Sequence, residues 1–119
     1  MIFSKSNHIE QIISGEKTQT RRLGRQYNVG QTYAIQPGRG KHGIPGGRVL
    51  IIERWEEWSD DDLGDYPISE KDALAEGGYT SSEYEALFEK MYPEWRIKYA
   101  WRTAYEFAFV PKPRCDENE

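Results

Sequence analysis

The stretch Gly15-Glu16-Lys17-Thr18-Gln19-Thr20-Arg21-Arg22 governs how the rest of the chain is read. It carries hydroxyls and cations and no apolar side chain that a core could use. The residues before it read as a helix. Asn7 can accept from the orphan amides of a first turn, and Glu10 stands three residues on to reciprocate. Ile9, Ile12 and Ile13 then fall on one face, and Gly15 ends the helix as a left-handed cap after about eight residues. Beyond the cap the chain is expected to turn and then form a strand whose polar face lines something, because threonine tolerates extended backbone.

Working outward, the 119 residues are enough for one domain with a single core. The apolar share is only 37%, so the bulky aromatic residues, four Trp, eight Tyr and four Phe, must supply much of the burial. A net charge of −4 hides a segregation: residues 1–16 carry −1, residues 17–48 carry +7 with no Asp or Glu, and residues 49–119 carry −10. A basic third in an acidic chain suits a polyanion or an anionic ligand, and mutual neutralisation across the folded domain is the alternative. The lone Cys115 allows no internal disulfide and has no His or Cys neighbour for a zinc site, so a reducing, cytoplasmic setting is expected. The chain opens on no secretory pattern and its apolar runs, such as Val49 to Ile52, are too short for a membrane span. No metal or cofactor is called for.

Two strands are expected next, Thr32 to Gln36 and Gly47 to Trp58, separated by a Gly- and Pro-rich loop from Pro37 to Gly46. Val49 to Ile52 is the clearest core segment. Glu53 to Trp58 has no settled period, and Trp55 and Trp58 have no assigned place. Asp60, Asp61, Asp62 and Asp65 lack the ladder of a calcium loop and read as a solvated loop. Ser69 starts a short helix through Ala75 that Gly77-Gly78 ends. The capping box from Thr80 to Glu83 opens another, with Tyr84, Leu87, Phe88 and Met91 on one core face, and Pro93 stops it. From Trp101 to Val110 the residues alternate, which predicts a long strand with Trp101, Thr103, Tyr105, Phe107 and Phe109 turned inward. Residues 112–119 read as a loose tail beyond a domain of residues 1–111. Strands interleaved with three short helices, without βαβ regularity, predict an α+β fold: a small mixed or antiparallel β-barrel with short flanking helices.

The specific signal remains the opening stretch, which fits Gly-x-Lys-x-x-Thr-x-Arg and resembles the signature of the ASCH domain family, part of the PUA-like superfamily of small β-barrels that bind RNA or modified nucleosides. The likeness extends over most of residues 8–110, through the leading helix, the Val29-Gly30-Gln31 turn, the Val49 to Ile52 strand, Ala75-Glu76-Gly77 and the final aromatic strand. Some members of that family are amidohydrolases that remove an acyl group from the exocyclic nitrogen of acetylated cytidine with a Lys, a Thr and a Glu. Carried over, the resemblance implies Lys17, Thr20 and Glu76 in those catalytic roles, Glu76 by way of a one-residue offset at Gly77-Gly78. The chemistry is coherent: a Thr hydroxyl needs a base, and burial can lower a lysine enough to serve as one. Lys17 and Thr20, three apart, share a pocket only if Gly15 to Thr18 turns.

Other members of the family act as RNA-binding modules or nucleases. Arg21, Arg22 and Arg25, with Arg39 and Lys41 in the Gly-rich loop, are candidates to contact an anionic ligand. Tyr33, with Tyr27 and Tyr79, is a candidate to stack on a base. The first functional reading is an RNA- or nucleoside-binding domain with a basic cleft. The alternatives are an amidohydrolase acting on N4-acetylcytidine-type nucleosides and, third, a ribonuclease.

Overall fold

A computed structural model describes residues 1, 3, 6–24, 26–36, 47–59 and 66–111. The first helix, α1 (Ser6–Ser14), closes on Gly15 at φ +89°, the left-handed cap that glycine adopts without strain. Three strands follow: β1 (Gln19–Arg22), β2 (Thr32–Ala34) and β3 (Gly47–Trp58). Helices α2 (Glu70–Ala75) and α3 (Ser81–Met91) begin at Ser69 and Thr80, whose hydroxyls accept from Asp72 N and Glu83 N, and Thr80 and Glu83 complete a reciprocal box. A further single turn, α4 (Trp95–Lys98), lies beyond Pro93 and brings the helices among the described residues to four. Its four residues are too few to show a period in the sequence, and buried Trp95 holds it. The last strand is β4 (Trp101–Pro111).

All the strand pairs are antiparallel, in the order β1-β4-β3-β2. The fold is thus α+β as expected, but the expected barrel is not formed, because among the described residues the outer strands β1 and β2 do not pair. They are short, four and three residues against twelve and eleven for β3 and β4. Phe3 occupies the gap between them. Its N–H donates to Gln36 O beyond β2, while Arg22 of β1 lies 5.0 Å over its ring.

The two faces of the sheet are built differently. On one, Val49, Ile51, Tyr105 and Phe107 pack with Ile9 and Ile12 of α1 and with Tyr27. Tyr27 is therefore a core residue, 7% exposed, and does not offer its ring to a base. The other face meets Ile68, Ala73, Tyr84, Phe88 and Trp95 of the α2–α4 layer. Burying side chains of this size contributes roughly 1.5–3 kcal/mol each.

A β-bulge sets which residues reach that second face. The register runs from Ile51 opposite Phe107 to Glu53 opposite Glu106, leaving Ile52 as the extra residue. An extra residue reverses the alternation of a strand. Trp55 and Glu57 accordingly share a face with Ala104 and Arg102, and not with Val49 and Ile51. This is why Glu53 to Trp58 shows no settled period in the sequence. Arg102, expected on the outward side of its strand, is wholly buried, so β4 is covered on both faces from Arg102 to Tyr105.

Candidate functional site

The site forms where the ends of two helices meet the edge strand. Past Gly15 the chain turns so that Lys17 N donates back to Gln11 O and Thr18 N donates to Ala75 O at 2.8 Å, which ties the start of β1 to the end of α2. Glu76 caps α2, and Gly77 and Gly78 at φ +139° and +87° turn the chain away behind it. Two side chains of α1 hold that turn: Gln11 Nε2 donates to Gly77 O at 2.9 Å, and His8 Nε2 lies 2.7 Å from Tyr79 Oη.

A cleft of about 90 Å³ opens there, lined by Lys17, Thr20, Arg21, Arg22 and Glu76, with Phe3, Tyr84, Leu87 and Met91 among its apolar walls. Its volume is that of about three waters. The α3 face is divided: Tyr84 and Phe88 belong to the core, whereas Leu87 and half-exposed Met91 border the cleft.

Lys17 and Glu76 are each 2% exposed. Lys17 Nζ donates to Glu76 Oε1 at 2.9 Å, to Glu76 O at 2.6 Å and to Gln19 O at 3.0 Å. Three acceptors around one nitrogen suit the three protons of an ammonium. Burial works the other way and pushes the Lys17 amine below its ordinary 10.5, against the upward pull of the Glu76 charge and hydrogen bond. Thr20 Oγ1 accepts from Arg22 Nε at 3.3 Å, and the Arg22 guanidinium is half-buried over Phe3. Burial, and then the charge of Glu76, raise the Tyr84 phenol well above its ordinary range, so it is a neutral wall of the cleft.

Arg21 borders the cleft but turns its guanidinium into the domain. Nε and Nη2 meet the two oxygens of Glu57 at 2.7 Å each, and Nη1 donates to Glu76 Oε2 at 2.8 Å and to Gln19 Oε1 at 3.0 Å. Two of the seven cations of the basic third are thus neutralised internally by Glu57 and Glu76, which come from the acidic part of the chain. Tyr33 lies on β2, at the opposite edge of the sheet from β1, with its ring 4.8 Å from Tyr27 and its hydroxyl accepting from Asn28 N. The cleft therefore does not include Tyr33. Arg25, Arg39 and Lys41 lie outside the described residues, as do the acidic run at Asp60 to Asp65, Cys115 and the tail.

Three buried ions escaped the sequence reading: Glu57, Glu85 and Arg102. Arg102 sits between Phe88 and Trp95, 4.8 and 4.7 Å from their ring centres, and joins Glu57 to Glu85. The bulge that aims Glu57 has no local signature. The one available hint was an Arg in the middle of an aromatic strand. Among the described residues, no helix is long and apolar enough to cross a membrane.

Fold and cleft together define a small α+β domain with one open antiparallel sheet, helices on both faces and an ionic pocket beside the edge strand. Solved structures share this fold. A protein of family DUF984 from Enterococcus faecalis V583, EF3133, aligns with a TM-score of 0.64 at 18% identity, covering 92% of this chain and 71% of its own. The hypothetical protein PH0355 aligns at 0.66 and 17% identity, with 92% and 96% covered. An ASCH domain from Lactobacillus crispatus JV V101 aligns at 0.59 and 17% identity, with 87% and 70% covered. At these identities the likeness is one of fold, and it is the fold of an ASCH domain. No protein-family model and no curated protein sequence matches the chain.

Proposed function

We propose that this chain is an ASCH-domain protein that takes a modified nucleoside into the cleft and removes an acyl group from its exocyclic nitrogen, as from N4-acetylcytidine. The observation that carries this reading is that Lys17, Thr20 and Glu76 line one cleft. The cleft, of about 90 Å³, has room for the acylamide group, with the rest of the nucleoside at its mouth. In the first step Lys17 passes a proton to Glu76 over the 2.9 Å contact. The resulting amine takes the proton of the Thr20 hydroxyl, and the threonine oxygen attacks the acyl carbon. The carbon–nitrogen bond breaks, and the leaving nitrogen takes the proton held by Glu76. Water then cleaves the threonyl ester, giving a proton to Glu76 while the threonine oxygen recovers one from Lys17. A proton passing from Glu76 back to Lys17 restores the pair. The Arg22 guanidinium donates to Thr20 and favours its anionic form.

The test is incubation with N4-acetylcytidine, with cytidine measured by chromatography. Release that falls by about a hundredfold or more in Lys17→Ala and Glu76→Gln is expected on the scale of acid–base catalysis. Absence of release, or release unchanged in both variants, overturns the hydrolytic reading. RNA binding is the second reading, favoured by half-buried Arg22 at the cleft and exposed Arg48 on β3. It is distinguished by affinity that falls steeply with added salt as phosphate contacts are lost.

A further inference from the structure

Six buried charges alternate in sign through the interior: Lys17, Glu76, Arg21, Glu57, Arg102 and Glu85. The links measure 2.9 Å from Lys17 to Glu76, 2.8 Å from Glu76 to Arg21, 2.7 Å from Arg21 to Glu57, 3.1 Å from Glu57 to Arg102 and 2.7 Å from Arg102 to Glu85. Burying ions is costly, and apolar residues of similar volume would fill the same space at least as favourably. The ladder therefore calls for a reason beyond packing. Its two ends differ. At one end, away from the cleft, Glu85 is held by Arg102 and by Ile68 N at 2.8 Å. At the other, Lys17 and Glu76 line the cleft.

We infer that Arg21 is a positioning residue of the cleft: by holding Glu76 Oε2 it leaves Lys17 a single carboxylate oxygen, and through Glu57 it anchors that arrangement to the Arg102–Glu85 pair. Four of the five guanidinium hydrogens are taken by protein acceptors, and the fifth, on Nη2, faces the Asp72 carboxylate. Nε and Nη2 meet Glu57, Nη1 meets Gln19 and Glu76, and Nη2 also lies 3.6 Å from Asp72 Oδ2. Arg21 thus acts on the ligand through Glu76. A cation on the far oxygen of Glu76 weakens the hold of that carboxylate on the Lys17 proton, which the base role of Lys17 in the proposed hydrolysis requires. The groups facing Lys17 are Glu76 from the end of α2, Arg21 and Arg22 from β1, His8 from α1 and Tyr84 from α3. Burial lowers the amine, Glu76 raises it, and Arg22 and Arg21 lower it further.

The test is the titration of the Lys17 side chain, followed by NMR of lysine-labelled full-length protein and assigned with Lys17→Arg. Arg21→Gln removes the clamp and is expected to move the midpoint up. Glu57→Gln frees Arg21 to lean on Glu76 and is expected to move it down. The double variant Arg21→Gln/Glu57→Gln removes a charge of each sign, and it carries the upward prediction if the single Arg21 variant does not fold. A purely structural role would not produce opposite shifts. Lys17 titrating at the wild-type pH in the folded variants, or moving the same way in Arg21→Gln and Glu57→Gln, overturns the inference. The readout does not depend on turnover. Opposite shifts without cytidine release would sustain the positioning role and remove the hydrolytic reading, and release with an unmoved Lys17 would do the reverse.

Discussion

Replacing Arg102 by methionine cuts the ladder at its most buried link. The lost contacts are the two parallel hydrogen bonds to Glu85, at 2.7 and 2.8 Å, and the 3.1 Å bond to Glu57. Their consequences differ. Glu57 keeps both of its bonds to Arg21 and the indole of Trp55, whereas Glu85 keeps only Ile68 N. One carboxylate, 6% exposed, is thus left without a cation. Removing one partner of a buried pair costs about 3–5 kcal/mol, a large share of the roughly 5–15 kcal/mol that holds a typical domain together. The methionine stem still fills space between Phe88 and Trp95, so most of the loss is electrostatic. Glu85→Gln added to Arg102→Met removes the orphaned charge and keeps an acceptor for Ile68 N, and it is expected to recover at least half of the loss. Urea unfolding followed by tryptophan fluorescence measures both, with Trp95 beside the altered site. A loss below about 1 kcal/mol in the single variant, on the scale of an exposed pair, refutes this reasoning. So does a double variant no more stable than the single one.

Two further outcomes follow from the geometry around the site. In Gly77→Ala the new methyl group would stand 2.8 Å from Gln11 Oε1 and 3.3 Å from the Tyr79 ring at a φ of +139°, so a loss of about 2–3 kcal/mol is expected from strain and crowding; an unfolding midpoint equal to wild type would show that the turn behind Glu76 yields freely. For Glu57, burial pushes the carboxyl up, but the hydrogen bond and charge of Arg21, with Arg102, more than offset it and hold it below the ordinary 4.5. Its contribution is therefore complete above about pH 4.5 and is lost as the pH falls through the lower folded value. Urea midpoints measured from pH 7 to pH 2 should drop less steeply on the acid side in Glu57→Gln than in wild type, and parallel curves would contradict the assignment.

What the sequence made legible was local. Helix α1 with its Gly15 cap, the bounds of β3, the Ser69 and Thr80 caps and the extent of β4 each rest on a few adjacent residues, and the structure carries them; the expected alternation of β4 fails from Arg102 to Tyr105, where both faces are covered. Lys17, Thr20 and Glu76 were reached through a motif and a family likeness, and they line the same cleft. What stayed hidden depends on register. One extra residue at Ile52 turns Glu57 toward the helices, and nothing in Glu53 to Trp58 marks it. The same limit applies to charge. The basic third reads as a surface for anions, yet Lys17 and Arg21 face carboxylates more than thirty residues away in the chain. The sheet stays open because β1 and β2 are short and Phe3 stands between them, a long-range arrangement that barrel-like strand spacing does not reveal.

The most direct test of the proposed chemistry is cytidine release from N4-acetylcytidine by Thr20→Ser and Thr20→Ala, measured beside wild type. If the hydroxyl at position 20 attacks the acyl carbon, the serine variant keeps activity within about tenfold of wild type while the alanine variant falls by about a hundredfold or more. Equal activity in the two variants would contradict the assignment of Thr20 as the nucleophile.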